Sequence, residues 1–409
     1  MPTVNNNTPT LRFPEFKENW GKKKFNEIFI FSTGKSIKQN EASPEFETPC
    51  VRYGELYHMY DEVITEVINK TNLDKSELTF SQGNEILLPS AGEDPMDIGS
   101  ASALTIKNVA IGRTINILRP LMTNVYSQIY VAYHINHKLK KDISKLAKGV
   151  SISNVYNSDL KTLEITLPTL QEQQKIVAFL TAVDEKLQAL KQKKSLLEQY
   201  KKGMMQKIFS QELRFKDDNG KAFPDWEEKK LGEVLIKNSK KNKNQEFKLV
   251  QSVSNKRGFV NQDEYFEDRV IASKDLSNYY VIQKGDFAYN PSRIDVGSLA
   301  YKFDDKSSVI SPLYISFKAN KDYLNDAFLL EWFSTQQFTR QMNSSFEGSV
   351  RNTLSYESLR KIQMFYPCLE EQTKIATFLS TIDDKINQCQ AQLTNTEVWK
   401  RGLLQGMFV

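Results

Sequence analysis

Tyr289-Asn290-Pro291-Ser292 is the stretch whose residue types come nearest to chemistry. An Asn-Pro or Asp-Pro pair followed by a second proline and an aromatic residue is a way to grip an adenine flipped out of a duplex. Here Ser292-Arg293 follows the pair, and the first half of the chain has Leu88-Pro89-Ser90 in the same place. The stretch therefore reads as a loop after the strand that begins near Gly285. His58, His134 and His137 have no zinc or metalloprotease spacing, and His134 with His137 reads as a polar surface pair. Glu370-Glu371 and Asp383-Asp384 sit side by side on a helix and read as solvated faces or partner contacts rather than acid–base dyads. Cys50, Cys368 and Cys389 are too far apart for a metal knuckle or a disulfide framework. No GxGxxG or GxxxxGK[ST] loop occurs. No residue is assigned a catalytic, cofactor-binding or metal-binding role.

The chain has 409 residues, enough for two or three cores, with 40% hydrophobic and 11% aromatic residues to fill them. Its 55 basic and 50 acidic residues leave a net charge of +5, which suits a polyanionic partner without demanding one. No run of about 18 apolar residues and no basic-then-apolar leader pattern is present. With three widely spaced cysteines, these features set the expectation of a cytoplasmic protein with no membrane partner.

What must position any functional residue is a long helix that the sequence writes twice. LPTLQEQQKIVAFLTAVDEKL, Leu167 to Leu187, returns as YPCLEEQTKIATFLSTIDDKI, Tyr366 to Ile386. Pro168 matches Pro367, an offset of 199 residues (367 − 168), and the register still holds where YKKGMMQKIF (Tyr200 to Phe209) meets WKRGLLQGMF (Trp399 to Phe408). A period this long marks a duplicated domain unit, not a solenoid. Each half also opens alike: Leu11-Arg12-Phe13 returns as Leu213-Arg214-Phe215, and the Trp20 to Ile28 motif returns at Trp226 to Val234. Between these elements the halves are mixed α/β and differ in most side chains. Glu85 to Leu88 and Ile129 to Tyr133 read as strands. Ser127 to Val131 is set opposite Ser311 to Ile315, at an offset of 184 (311 − 127). GVSISNVYNSDL, Gly149 to Leu160, and GSVRNTLSYESL, Gly348 to Leu359, lead back to the strict offset. The expected division is domain 1 over residues 1–167, a first helical region over 168–212, domain 2 over 213–366 and a second helical region over 367–409.

The helices carry a coiled-coil seam, with steps alternating between four and three. In the first copy it runs through Ile176, Leu180, Val183, Leu187, Leu190 and Leu197; in the second, through Ile375, Leu379, Ile382, Ile386 and Leu393. Lys194 and Lys201 interrupt the first seam and Lys400 the second, with no evident reason. Thr169-x-x-Glu172 is a capping-box pattern at the start of the first helix. Some 35 helical residues span roughly 50 Å and expose a stripe that needs a partner. That partner is either the helix's own domain or its repeat. If the repeats pack antiparallel, a pseudo-two-fold axis relates two α/β domains separated by the helix pair. Two related but different domains in inverted orientation can read two half-sites on the antiparallel strands of DNA.

The paired P-x-L-x-E-Q-x-K-I-x-x-F-L-x-x-x-D-x-K segments, each closing a variable domain, resemble the specificity subunit of type I restriction-modification enzymes. The resemblance covers the whole chain. It implies two target-recognition domains that bind an asymmetric, split DNA sequence, with no catalysis by this chain. Two modification subunits would methylate adenine N6 with S-adenosylmethionine, and restriction subunits would add cleavage driven by ATP with magnesium. Phosphate contacts need Lys or Arg. The candidates are Lys35, Lys38, Arg52 and Arg113 in domain 1, and Lys256, Arg257, Arg293 and Arg351 in domain 2, with Lys240, Lys241 and Lys243 in a basic loop. Singly, each also fits a solvated surface charge. The repeated polar residues Gln173, Lys175, Asp184 and Lys186, with Gln372, Lys374, Asp383 and Lys385, lie off the seam and are expected to dock the modification subunits. Helix solubility and salt bridges are the alternative. A free-standing methyltransferase and a coiled-coil scaffold that ignores DNA are the competing functions.

Overall fold

The computed structural model describes residues 8–255, 257–262, 275–347 and 352–409. The chain divides into two compact units, Met1–Lys191 with Ala391–Val409, and Gln192–Gln390. Both long helices are shared between the units, so each unit is built from distant parts of the sequence.

In unit 1, β1 (Gly21–Lys24) pairs with a distant strand just before the first long helix. A five-stranded sheet is built from β2 (Phe29–Thr33), β3 (Glu85–Pro89), β4 (Ser102–Leu104) and β5 (Ile115–Pro120), in the order β2-β5-β3-β4, with Val63–Ile64 at the edge. β3 is buried throughout because both faces are covered. Ile86 and Leu88 point into the main core, and Leu87 points into a second core beside Val51 and Ile111, the alternation a strand requires. Helix α1 (Gln128–His134) follows. Ile129 to Tyr133, expected as a strand, is this helix. Tyr130, Val131, Ala132 and Tyr133 are buried all round, so the run carries no polar face and no period to betray a helix. β6 (Glu164–Leu167) pairs with β1 and leads into α2 (Leu170–Phe209), a helix of 40 residues.

Unit 2 repeats the plan. β7 (Glu227–Lys230) stands for β1, and β8 (Leu235–Lys237) for β2. β9 (Asp286–Tyr289), β10 (Leu299–Tyr301) and β11 (Ile315–Ala319) complete a sheet in the order β8-β11-β9-β10. Helix α3 (Asp326–Phe333) stands for α1. β12 (Gln363–Tyr366) pairs with β7, and α4 (Leu369–Met407) has 39 residues. This order corrects the offset of 184: Ile315 opens the counterpart of β5, and the residue equivalent to Ser127 is Asn325, the N-cap of α3.

The core of unit 1 joins Ile176, Leu180 and Val183 of α2 to Leu403, Leu404 and Met407 of α4 and the adjoining Phe408. The core of unit 2 joins Met204, Met205 and Ile208 of α2 to Ile375, Leu379, Ile382 and Ile386 of α4. In each unit the start of one helix lies with the end of the other, so the pair is antiparallel. The apolar stripe meets both the other helix and the domain core. Leu187, Leu190 and Leu393 are also buried, and Leu197 is half-buried. In unit 2 the chain leaves α2 with a hydrogen bond from Leu213 N to Lys207 O of 3.0 Å. In unit 1 the equivalent bond joins the two ends of the chain, Leu11 N to Gly406 O at 2.9 Å. Among the described residues no helix is long and apolar enough to cross a membrane.

Candidate nucleic-acid interface

Six of the eight repeated polar residues of α2 and α4 are engaged within their own unit. Gln173 and Gln372 are both 0% exposed. Gln173 Oε1 accepts the Ser127 amide at 2.8 Å while its Nε2 donates to Pro168 O at 2.9 Å. Gln372 accepts the Asn325 amide at 2.8 Å and donates to Tyr323 O and Pro367 O. Each glutamine thus satisfies the N-terminus of the short helix α1 or α3, whose orphan amides would otherwise be buried unpaired. This overturns their expected place on a docking face. Asp184 pairs with Lys400 at 2.6 Å and accepts from the Tyr133 hydroxyl. Asp383 pairs with Lys201 at 2.7 Å, and Lys201 also holds Glu331. The lysines that break the seam are therefore the partners of the repeated aspartates. Lys194 makes a looser pair with Glu198 one turn on. Lys175 pairs with Glu15 and lies over the Phe13 ring, and Lys374 pairs with Asp218 at 2.6 Å. Of the eight residues expected to dock a partner, only Lys186 and Lys385 are exposed and carry no ion pair among the described residues.

The Leu-Arg-Phe openings complete the same fastening. Arg12 makes two bonds to the Glu172 carboxylate, at 2.7 and 2.8 Å, and Arg214 makes two to Glu371, both at 2.8 Å. Phe13 packs edge-on against Phe179, and Phe215 against Phe378. The capping box is accordingly half made: Thr169 Oγ1 accepts the Glu172 amide at 3.4 Å, but the Glu172 carboxylate goes to Arg12. Of the pair Glu370-Glu371, Glu370 is exposed, but Glu371 is fully buried against Arg214 and is no part of a solvated face. The repeat of Arg12 as Arg214 and of Glu172 as Glu371 was the signal for these pairs.

The remaining chemical candidates are also structural. His134 is buried against Tyr130 and Phe408, not on the surface, and burial pushes its pKa down to about 3. His137 faces Glu62 at 3.2 Å. Asn290 Oδ1 accepts the Ser292 amide at 3.0 Å, and the Tyr289 hydroxyl donates to Leu354 O, so the Asn-Pro stretch is spent on its own turn.

Basic candidates gather at one end of each sheet. In unit 1, β2 ends where β5 begins, with Thr33 opposite Asn116, and β3 ends opposite Ile115. Backbone bonds tie the loops at that end: Lys35 N to Ile111 O, Arg113 N to Ser36 O, and Gly112 N to Val51 O. Lys35, Lys38 and Arg113 are exposed there. Arg52 is a correction. Its Nε donates to the buried Glu55 at 2.8 Å, so it holds the loop rather than standing open. The approach is so close that a Cβ on Gly34 would sit 2.0 Å from Gly112 O. Ser36 and Ile37 follow at φ 50° and 57°, left-handed values that cost a non-glycine residue about 1 kcal/mol or more. Such strain gathers at working loops.

In unit 2 the same end carries Lys240 and Lys243, both exposed, while Lys241 is held over the Tyr280 ring and by Asn278 O. Arg293 stands exposed on the loop after β9, and Arg257 is exposed on a turn beside it, where Gly297 lies against Asn255. Lys256 and Arg351 lie outside the described residues.

The charged clusters predict opposite pH responses. Burial raises the Glu62 carboxyl, but the bond to His137 and the charge of Lys400 outweigh it and leave its pKa below the usual value. Its contribution is present above the unfolded value and is lost as pH falls through the folded one. Burial dominates at Glu331 and raises it despite Lys201, with Asp383 pushing the same way. Its contribution is present at low pH and is lost as pH rises through the folded value. At neutral pH, Glu62→Gln is expected to lower the melting temperature of unit 1, whereas Glu331→Gln leaves that of unit 2 unchanged or raised. Calorimetry of both variants checks this, and equal losses would refute it.

Residues 17–199 and 224–396 match a family described as the type I restriction modification DNA specificity domain. The chain is 26% identical over 297 residues to the type I restriction enzyme MjaVIII specificity subunit of Methanocaldococcus jannaschii, covering 68% of this chain and 69% of that one. Its fold resembles the S subunit of a type I restriction-modification system from M. genitalium, with a TM-score of 0.60 at 18% identity over 98% of this chain and 99% of that one. It also resembles a chain of another type I R-M system, with a TM-score of 0.54 at 14% identity over 96% and 97%.

Proposed function

Because the chain belongs to the type I restriction-modification DNA specificity family, it is a non-catalytic DNA-recognition subunit, and we propose that its two α/β units read the two halves of a split target. The observation that supports this reading is the pair of basic sheet ends, built on one plan but with different side chains. Lys35, Lys38 and Arg113 would hold phosphates in one half-site, and Lys240, Lys243, Arg257 and Arg293 in the other. The methyl group would come from two modification subunits acting on adenine N6 with S-adenosylmethionine. Restriction subunits would use ATP and magnesium, and the complex would work in the cytoplasm. Mapping N6-methyladenine across a genome with and without this chain tests the proposal. The expected result is a bipartite motif that disappears with the chain. Methyl transfer by the purified chain alone, or duplex binding without salt dependence, would refute it.

The docking surface for the modification subunits must differ from the residues engaged within each unit. Trp399 is 51% exposed and meets Phe179 edge-on at 5.8 Å, and its repeat-equivalent Tyr200 is 52% exposed. An exposed aromatic residue written twice, once in each unit, suits a partner bound twice. Trp399→Ala with Tyr200→Ala is expected to weaken capture of modification subunits by about 30-fold or more per site, from the roughly 2 kcal/mol an aromatic anchor supplies. Co-purification measures it, and unchanged stoichiometry at dilute concentration would eliminate this surface.

A further inference from the structure

The segment GVSISN, Gly149 to Asn154, is a closed hairpin whose purpose the sheet end does not explain. Lys148 N donates to Asn154 O at 2.9 Å and Asn154 N to Lys148 O at 2.8 Å, closing the hairpin. Gly149 turns at φ 131°, and a Cβ there would meet Ile152 O at 2.1 Å. Lys148 is held by Asp159 at 2.8 Å. Ser153 and Asn154 pair with Gly92 and Ala91, and Val155 is buried with its amide on Ser90 O. From this fixed base the tip lifts two β-branched side chains into solvent: Val150 is 103% exposed and Ile152 is 58% exposed. Ser90 N in turn bonds Thr114 O, which places the hairpin base beside the loop of Arg113 and Lys35.

We propose that this hairpin enters the major groove of the first half-site, with Val150 and Ile152 packing against thymine C5-methyl groups. The inference rests on the reading of unit 1 as a half-site reader. The major groove admits a two-stranded ribbon, and the thymine methyl is the one apolar feature a base edge offers there. Flanking lysines and arginine would hold the phosphates on which such a ribbon must be registered. Ser151, exposed between the apolar pair, leaves a polar group for the neighbouring bases. Glu93, which follows the strand paired with the hairpin, places an acceptor beside it where a cytosine amino group could be met. An adenine target in the half-site guarantees at least one thymine on the opposite strand.

The test uses the assembled methyltransferase complex on its mapped target, with each thymine of the first half-site replaced in turn by deoxyuridine. Removing one contacted methyl is expected to weaken binding about fourfold, the equivalent of roughly 0.8 kcal/mol per buried methylene-sized group. Val150→Ser with Ile152→Ser should weaken binding to the thymine duplex by a similar factor or more and abolish the difference between thymine and deoxyuridine. The second half-site should give the same deoxyuridine response in wild type and variant. If the variant keeps the full deoxyuridine penalty, the inference falls while unit 1 remains a reader. If the variant instead loses modification subunits, the hairpin is a protein contact and the inference falls. If no part of the first half-site influences binding, the reading of unit 1 as a half-site reader falls with it.

Discussion

A chain stopped after Gln390 should keep unit 2 and lose unit 1. The missing segment supplies Leu403, Leu404, Met407 and Phe408 to the unit 1 core, each almost wholly buried. At about 1.5–3 kcal/mol per large apolar side chain, their loss removes about 6–12 kcal/mol. That rivals the whole stability of an ordinary domain, about 5–15 kcal/mol. The segment also supplies Lys400, the cation that pairs with both Asp184 and Glu62. The truncated chain keeps every residue of unit 2, whose boundaries are Gln192–Gln390. Limited proteolysis should yield a resistant fragment near residues 192–390 and digest the first 191. Survival of an equally resistant N-terminal fragment would show that the domain holds without the end of α4.

Arg214→Ala should be the most damaging single substitution outside the apolar cores. It strips both side-chain donors from a carboxylate that is 0% exposed, leaving Glu371 only a 3.3 Å bond from Phe215 N. Breaking a buried pair from one side costs about 3–5 kcal/mol. At roughly 2–4 °C per kcal/mol for a unit of this size, the melting temperature of unit 2 should fall by about 6–20 °C. Adding Glu371→Gln should restore part of the loss, because it removes the stranded charge. Arg12→Ala should do the same to unit 1 through Glu172. Lys186→Ala, on an exposed face, should change stability by no more than about 0.5 kcal/mol. If Arg214→Ala melts like Lys186→Ala, the fastening described for the helix starts is not what holds them.

The long helices were legible because a strict offset joins residues such as Pro168 and Pro367 over forty positions, and a seam period is visible in a single sequence. The two-unit plan followed from the same repeat. What lay hidden was orientation. Gln173 and Asp184 repeat because each has a fixed partner inside its own unit, and repetition alone does not say whether a polar residue faces a partner subunit or its own fold. Lys201 and Lys400 looked like faults in an apolar seam, since their aspartate partners stand 182 (383 − 201) and 216 (400 − 184) residues away. Ile129 to Tyr133 looked like a strand because a short helix buried on every side shows no amphipathic pattern. At the sheet end, Lys35 and Arg113 were visible as residue types, but their meeting depends on backbone bonds between loops nearly eighty residues apart. Arg52 carries the same charge, and only the buried Glu55 separates it from them.

The hydrogen bond between Leu11 and Gly406 has a consequence for how the protein is made. Unit 1 starts to leave the ribosome before unit 2, yet it cannot close until residues 391–409 have been translated. Residues 192–390 emerge in the meantime and form a complete unit. At about 5–20 residues per second, unit 1 waits about 10–40 seconds with Tyr130, Ile176 and Leu180 lacking their cover. The chain is therefore finished from the middle outward, and its N-terminal domain is the part most exposed to chaperones and proteases during synthesis.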